Sequence, residues 1–125
     1  MARYKYRIVK DGNWRFELLP SNSNEQCVGH SGDYKTKEEM LDGLKRFKEF
    51  LRQNQNGISY MNEIFAKGKH IYHYAFFVFS DKNEKFYTAK YWHKYETDNS
   101  IERIKNNFEA DIRDDLTHIV EEKKT

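Results

Sequence analysis

One cysteine and one histidine, Cys27 and His30, stand close enough in the sequence to suggest a thiol nucleophile with its base. Such chemistry needs a thiolate and an imidazole within hydrogen-bond reach of each other. Residues 25–30 are predicted to form a strand, and residues three apart on a strand point to opposite faces of the sheet. Cys27 is therefore interpreted as an ordinary small core residue without catalytic function.

A pair of histidines and a group of aspartates are of types that could bind a metal ion or exchange protons. Neither set is predicted to have such a function. Metal binding needs imidazoles that converge with cysteine or carboxylate ligands, but His70 and His73 point to opposite faces of a predicted strand. Asp111, Asp114 and Asp115 are predicted on the solvated side of a helix, opposite its apolar stripe. The sequence thus predicts no catalytic residue, no metal site, no cofactor and no enzymatic activity.

A stripe of basic residues could contact an anionic partner. Arg3, Lys5 and Arg7 share one face of a strand predicted over residues 3–10, and Arg15 joins them across the following hairpin. If helices cover the other face, these cations lie on the open face of the sheet, where they could track a phosphate backbone. The alternative is a solvated face whose charges discourage edge pairing. The net charge of only +2 is well below that of a dedicated nucleic-acid-binding protein.

Aromatic residues are concentrated in residues 70–79 and 85–95, which include the stretch YWHKY. Helices pack on one face of a two-layer α+β domain, so the other face is predicted to expose an aromatic patch larger than monomers usually tolerate. Tyrosine and tryptophan commonly dominate the binding energy of protein interfaces. The outer aromatic residues are therefore predicted to bind a protein rather than nucleic acid, because few charges are interleaved. The candidate residues are Tyr74, Tyr87, Tyr91, Trp92 and His93.

The elements that must position these residues follow from periodicity. Alternation predicts strands over residues 3–10, 14–19, 25–30, 70–79 and 85–93, with a hairpin turn at Asp11-Gly12-Asn13. Residues 58–66 are ambiguous between strand and helix and are interpreted as a strand. A capping box from Thr36 to Glu39 precedes a helix predicted over residues 37–53. A second helix, of about six turns, is predicted from Asp98 onward on the basis of Ile101, Ile104, Phe108, Ile112, Leu116 and Ile119.

The order of these elements, three strands and then a helix, occurs twice. The predicted fold is α+β: a duplicated β-β-β-α unit, with an antiparallel sheet and two long helices packed on one side. The 125 residues suit a single domain, which would contain two repeats, at about 3–54 and 58–120. Asn24-Glu25 corresponds to Asn83-Glu84 at one offset. At a second offset, Tyr34-Lys35-Thr36 corresponds to Tyr95-Glu96-Thr97, and Met40, Gly43 and Phe47 correspond to Ile101, Ile104 and Phe108.

Composition favours a polar intracellular protein. Hydrophobic residues make up 38% of the chain, charged residues 34% and aromatic residues 16%, so aromatic side chains must supply much of the core. A single cysteine excludes an internal disulfide framework and favours a reducing compartment, for which the cytoplasm is predicted. There is no long apolar run and no signal-peptide pattern at residues 1–10, so no membrane association is predicted.

The first half of the chain, residues 4–50, resembles the YegP-like family of small bacterial domains of unknown function. The resemblance depends on Trp14-Arg15-Phe16-Glu17-Leu18, a polar turn from Asn22 to Glu25, Tyr34-Lys35-Thr36-Lys37 and a helix that contains Gly43. The polar turn is longer than is usual in the family, and the second half lacks the Trp-Arg-Phe sequence. The resemblance implies a β-β-β-α unit used in pairs, either as a tandem repeat or as two copies in a dimer. It implies no catalytic residues.

The sequence therefore predicts a small, non-enzymatic binding or regulatory module that acts through its aromatic sheet face on a protein partner. The abundance of Lys, Asn, Tyr, Phe and Ile is typical of AT-rich bacterial and phage genomes, and a phage-type inhibitor of a larger host enzyme fits this pattern. The alternative is a nucleic-acid-binding protein that uses the basic strand face. A homodimer, in which a second copy covers the aromatic face, also remains open.

Overall fold

The computed structural model describes residues 3–22 and 27–115 of the chain. Seven strands form one mixed sheet in the order β4-β5-β6-β3-β2-β1-β7, and the fold is α+β. All neighbouring strands are antiparallel except β1 and β7, which are parallel. The elements are β1 (Tyr4–Asp11), β2 (Asn13–Pro20), β3 (Gly29–Ser31), α1 (Lys37–Gln53), β4 (Met61–Lys67), β5 (His70–Val78), β6 (Lys85–Thr88), α2 (Lys94–Asn107) and β7 (Ile112–Asp115).

The first hairpin and the first helix form where local signals predict them. Strands β1 and β2 pair from Tyr4 and Pro20 to Asp11 and Asn13, around Gly12 with φ +76°. This left-handed conformation favours glycine, since residues with a side chain rarely adopt it. Helix α1 begins after Thr36, whose hydroxyl oxygen accepts a hydrogen bond from the backbone N–H of Glu39 at 3.1 Å. The predicted helix over residues 37–53 and the preceding hairpin are confirmed.

Both helices pack on one face of the sheet, and the core between the helices and the sheet is rich in aromatic residues. Phe47 of α1 is fully buried at its centre. The distances from the Phe47 ring centroid to its aromatic neighbours are 4.2 Å to Phe86, 5.3 Å to Phe79, 5.5 Å to Phe16, 6.1 Å to Phe77 and 6.5 Å to Tyr6. Such tilted and offset ring pairs add to the free energy gained by burying apolar surface. Aromatic side chains therefore join strands from both halves of the chain.

A cluster of polar side chains joins α1 to the turn between β5 and β6. Glu84 accepts hydrogen bonds from the Tyr34 hydroxyl at 2.5 Å, from Arg46 Nε at 2.5 Å and from Ser80 Oγ at 2.7 Å. A side chain at Gly43 would collide with the Tyr34 hydroxyl and place its Cβ 2.8 Å from Glu84 Oε2. Glycine at this helical position therefore permits the close approach of Tyr34 and Glu84 to the helix.

The second helix differs from its prediction at both ends. Helix α2 begins at Lys94, one turn earlier than the predicted start at Asp98, and ends at Asn107 instead of continuing for six turns. Phe108 ends the helix, where its carbonyl accepts a hydrogen bond from the Tyr6 hydroxyl at 2.5 Å. The chain then turns, and Ile112 lies opposite Tyr6 in the parallel pairing of β7 with β1. Leu116 and Ile119, which the same prediction included, lie outside the described residues.

Four further predictions need correction. The pairing of β7 with β1 makes the sheet mixed instead of antiparallel, and Asp111, Asp114 and Asp115 lie next to or within this strand and do not form a helix face. Strand β3 starts at Gly29, later than the predicted residues 25–30, of which 25 and 26 lie outside the described part. Strand β6 ends at Thr88 instead of residue 93. The ambiguous segment is a strand, β4, as predicted. Among the described residues, no helix combines the length and the apolar character needed to cross a membrane.

Candidate functional site

The sheet face opposite the helices exposes a group of aromatic side chains. On β5, Ala75 and Phe77 are buried beneath the helices, so the alternating residues between and beside them point away from the helices. Their partners in β4 and β6 lie on the same side, because residues paired across antiparallel strands share a face. We call this surface the aromatic face; its aromatic residues are Phe65, Tyr72, Tyr74, Phe76, Tyr87 and Trp92.

The rings of the aromatic face contact each other. The Trp92 ring centroid lies 5.1 Å from that of Tyr72, which lies 6.3 Å from Phe65. A second group joins Tyr87 to Phe76 at 5.8 Å and to His30, stacked at 5.4 Å. Trp92 is 56% exposed, which is high for the largest apolar side chain. An open depression of about 420 Å³ lies between the two groups, lined by His30, Phe65, Tyr74, Tyr87, Thr88, Ala89 and Lys90.

Two lysines lie over aromatic rings of this face. The Nζ atom of Lys90 is 3.9 Å from the Phe65 ring centroid, and that of Lys85 is 5.5 Å from the Phe76 centroid. Both distances are within the range of a cation–π contact. The surface thus has aromatic residues with adjacent cations, an arrangement that suits a partner with apolar side chains and a few carboxylates.

The structure brings together three of the five aromatic-site residues that the sequence predicts. Tyr74, Tyr87 and Trp92 lie on the aromatic face. Tyr91 lies on the helix side, where its hydroxyl hydrogen-bonds Ser100 Oγ at 2.5 Å. His93 is the N-cap residue of α2, and its ring stacks on Tyr95 at 5.5 Å. Tyr91 and His93 do not lie on the aromatic face as predicted, because β6 ends at Thr88 and the chain then turns into α2.

Sequence reasoning missed several members of the aromatic face. Tyr72 and Phe76 belong to it by the same alternation that selects Tyr74, so the pattern contained the signal. Phe65 was missed because its strand was ambiguous. His30 and Lys90 lie outside any aromatic run, and only the pairing of β3 with β6 brings His30 next to Tyr87.

The predicted basic residues lie at the other end of the sheet and do not form an exposed row. Lys5 is only 6% exposed. Arg7 donates to Glu17 Oε1 from Nε at 2.9 Å and from a terminal nitrogen at 2.7 Å, and Arg15 Nε donates to Glu17 Oε2 at 3.2 Å. Glu17 therefore offsets much of the positive charge of both arginines. Arg3 is exposed, just before β1.

Cys27 lies near the same charges and has little thiolate character. Burial raises the pKa of its thiol to about 11, with a further increase from Glu17 and a partial decrease from Arg7. His30 makes other contacts: its Nδ1 donates to the Ser31 carbonyl at 2.8 Å, and its ring stacks on Tyr87. Neither contact involves the sulfur atom.

We expect Cys27 to react slowly with iodoacetamide in the folded protein. At pH 8, a pKa of about 11 instead of 9 lowers the thiolate fraction by about 100-fold. The measurement is the alkylation rate followed by mass spectrometry between pH 7 and pH 10, with the urea-unfolded protein as control. The folded rate should rise about tenfold per pH unit throughout this range, whereas the unfolded rate should level off near pH 9. Equal rates in both states would contradict the assignment.

No protein-family model, no curated protein and no solved structure matches this chain. Within residues 3–22 and 27–115, no three His, Cys, Asp or Glu side chains are grouped so that they could hold a metal ion. A functional assignment therefore depends on the chemistry of the aromatic face.

Proposed function

We propose that this chain is a small, non-enzymatic binding module that uses its aromatic face to dock on another protein. The observation that supports this most is Trp92, which is 56% exposed and in ring contact with Tyr72 on a face that no described helix covers. Contiguous exposed apolar surface of this kind usually marks an interaction site. Tryptophan and tyrosine are also the residues whose truncation most often weakens protein interfaces.

The partner is proposed to be a protein because of the surroundings of the rings. Bases would stack on ring faces that Lys90 and Lys85 already approach, at Phe65 and Phe76. A protein partner could instead place apolar side chains in the open depression and carboxylates against the two ammonium groups. The nucleic-acid alternative through Arg3, Lys5, Arg7 and Arg15 has less support, since Glu17 binds two of these cations and Lys5 is buried.

We further infer that the module regulates a larger host enzyme, as a phage-type inhibitor does. The Lys-, Asn- and Tyr-rich composition supports this inference. The cytoplasm is proposed as the compartment, because the single cysteine requires no oxidising environment. An inhibitor of this kind needs an exposed docking surface and no catalytic groups of its own.

We also infer that the chain is a duplicated β-β-β-α unit, as the resemblance to the YegP-like family implies. Equivalent hydrogen bonds support this: Ser31 Oγ accepts from the Phe16 N–H at 3.0 Å, and Thr88 Oγ1 accepts from the Ala75 N–H at 2.9 Å. Isolated bridges also recur before each helix, between Trp14 and Tyr34 and between His73 and Tyr91. The offset from Ser31 to Thr88 also relates Tyr34 to Tyr91. In the structure Tyr91, and not Tyr95 as the sequence repeat suggested, is therefore the equivalent of Tyr34, because α2 starts one turn earlier than predicted.

A retention experiment with matched variants tests the docking function. The tagged chain is used to capture proteins from a nuclease-treated bacterial lysate, and the affinity of any captured protein is then measured after purification. Trp92→Ala should weaken binding at least about 30-fold, the effect of losing a residue that contributes 2 kcal/mol or more. Tyr95→Ala is the control, because Tyr95 is 63% exposed but lies on α2, outside the aromatic face.

The outcomes separate the candidate functions. Binding that survives nuclease, changes little with salt and is lost only in Trp92→Ala supports the protein interface. Recovery of nucleic acid with a steep salt dependence would contradict it and favour the basic residues. Equal losses in Trp92→Ala and Tyr95→Ala would also contradict it, since the effect would then not belong to the aromatic face.

A further inference from the structure

The edge strand β4 has the properties of an interface. It spans Met61–Lys67 without a proline, and no other described strand pairs with the side opposite β5. Its exposed residues include Ile64, at 66%, and Ile71 of the adjacent strand is 55% exposed on the same side of the sheet. A long exposed edge with apolar side chains is normally covered, charged or interrupted, because its free peptide groups can pair with another chain.

The turn at the end of β4 determines which peptide groups point outward. Gly68 and Lys69 form a two-residue turn between Lys67 and His70, with Gly68 at φ +62°. In such a turn the first carbonyl accepts from the fourth N–H, so Lys67 and His70 are a hydrogen-bonded pair. Hydrogen-bonded and non-bonded pairs alternate along antiparallel strands. The N–H and C=O groups of Ile64 and Ala66 therefore point away from β5, toward solvent.

We propose that β4 pairs antiparallel with β4 of a second copy of this chain, about a two-fold axis at Phe65. In this register Phe65 lies opposite Phe65 of the second copy, and Glu63 lies opposite Lys67 of the second copy on each side of the axis. Ile64 and Ala66 exchange both backbone hydrogen bonds with Ala66 and Ile64 of the second copy, which uses the outward peptide groups. Aromatic and opposite-charge pairs are favourable cross-strand neighbours.

Other symmetric registers of the same strand are less favourable. A two-fold axis at Glu63 would place two like charges directly opposite each other. An axis at Ile64 would pair Glu63 with Phe65 of the second copy and Met61 with its Lys67, so that charged side chains would lie opposite apolar ones. The sequence of β4 therefore selects the axis at Phe65. On the helix side, this register brings Ile64 of one copy beside Ala66 of the other, with Ile71 beyond that small side chain.

The pairing has a consequence for the aromatic face. A two-fold axis perpendicular to the sheet keeps the same face of both copies on one side, so two aromatic faces join into one continuous surface. The dimer would then present two equivalent docking sites. This inference goes beyond the proposed function and does not depend on it, since the dimer forms from the purified chain alone.

A charge exchange tests the register by sedimentation velocity of the purified protein. Glu63→Lys alone and Lys67→Glu alone each create two like-charge pairs, and each should weaken dimerisation at least about tenfold. The double variant, Glu63→Lys with Lys67→Glu, should restore the wild-type dissociation constant. Circular dichroism verifies that each variant is folded. A wild-type chain that stays monomeric at 0.5 mM would overturn the proposal, as would single variants that dimerise like the wild type.

Disulfide trapping tests the position of the axis independently. In a Cys27→Ser background, Phe65→Cys places two cysteines opposite each other in a non-hydrogen-bonded pair, with about 4.5 Å between their Cα atoms, so mild oxidation should give a covalent dimer. Glu63→Cys is the control on the same face, because residue 63 lies opposite residue 67 of the second copy. Equal cross-linking of both variants would overturn the register. A dimer abolished by Trp92→Ala but not by the single charge variants would overturn the edge pairing in favour of self-association through the aromatic face.

Discussion

Phe47→Ala is expected to lower the free energy of unfolding by about 3–5 kcal/mol, the usual cost of removing a fully buried phenylalanine. Phe47 contacts five aromatic rings, and these come from β1, β2, β5, the residue that follows β5, and β6. Because rings from four strands surround it, the cavity left by alanine cannot close by a shift of one neighbour. Domains of this size have a total stability of about 5–15 kcal/mol, so the variant should be largely unfolded at modest urea concentrations.

The measurement is urea unfolding followed by tryptophan fluorescence and circular dichroism. Phe50→Ala is the matched control, because Phe50 lies on the same helix and stacks on Phe77 at 5.8 Å but is only partly buried. Its loss should cost clearly less than that of Phe47. If the two variants have the same stability, the core is not centred on Phe47, and the packing described for α1 is incorrect.

Glu84→Gln is expected to lower stability at neutral pH and to remove part of the acid sensitivity of the fold. Burial alone would raise the pKa of Glu84, but hydrogen bonds from Arg46, Tyr34 and Ser80 outweigh burial and lower the pKa to about 2 from 4.5. The folded state therefore favours the ionised carboxylate. Its contribution is complete above pH 4.5 and is lost as the pH falls toward 2. After allowance for solvent screening, this contribution is about 1–2 kcal/mol.

This prediction is checked by the urea midpoint between pH 2 and pH 7 for the wild type and for Glu84→Gln. The difference in the free energy of unfolding between the two should be largest above pH 5 and should shrink steadily as the pH falls. Glu109→Gln is the control, because Glu109 pairs with Arg52 at 2.7 Å in an exposed ion pair, which contributes little to stability. A difference between wild type and Glu84→Gln that does not change with pH would show that the carboxylate charge is not involved.

The parts of the fold with local signals were predictable, and the parts set by distant pairing were not. Thr36 and Glu39 mark the start of α1, and Gly12 marks the first turn, so both elements form as predicted. The apolar spacing that continues to Ile112 has a helical period. It nevertheless ends in a strand, because the edge of β1 offers backbone partners such as the Tyr6 N–H, which donates to the Asp111 carbonyl at 2.8 Å. No local pattern reports a partner so far away in the sequence.

The candidate site shows the same division between local and distant information. Alternation along β5 relates Tyr74 to the aromatic face, and the strand predicted over residues 85–93 separated Trp92 from Tyr91 and His93, but neither pattern decided which face is exposed. Extending that strand to residue 93 gave the wrong surroundings to Tyr91 and His93. The neutralisation of the basic residues by Glu17 could have been anticipated, since a hairpin centred on Gly12 places Glu17 opposite Arg7. That pairing explains why the basic stripe is not an exposed row.

The parallel pairing of β7 with β1 also affects how the protein is made on the ribosome. The β1–β2 hairpin can form as soon as both strands have emerged, but Ile112, which lies opposite Tyr6, is translated about one hundred residues later. At about 5–20 residues per second, the outer edge of β1 stays unpaired for roughly 5–20 s. Nascent chains on the same messenger are close by during this interval, and exposed strand edges pair readily with each other. Polysome spacing and translation speed should therefore influence the yield of correctly folded protein.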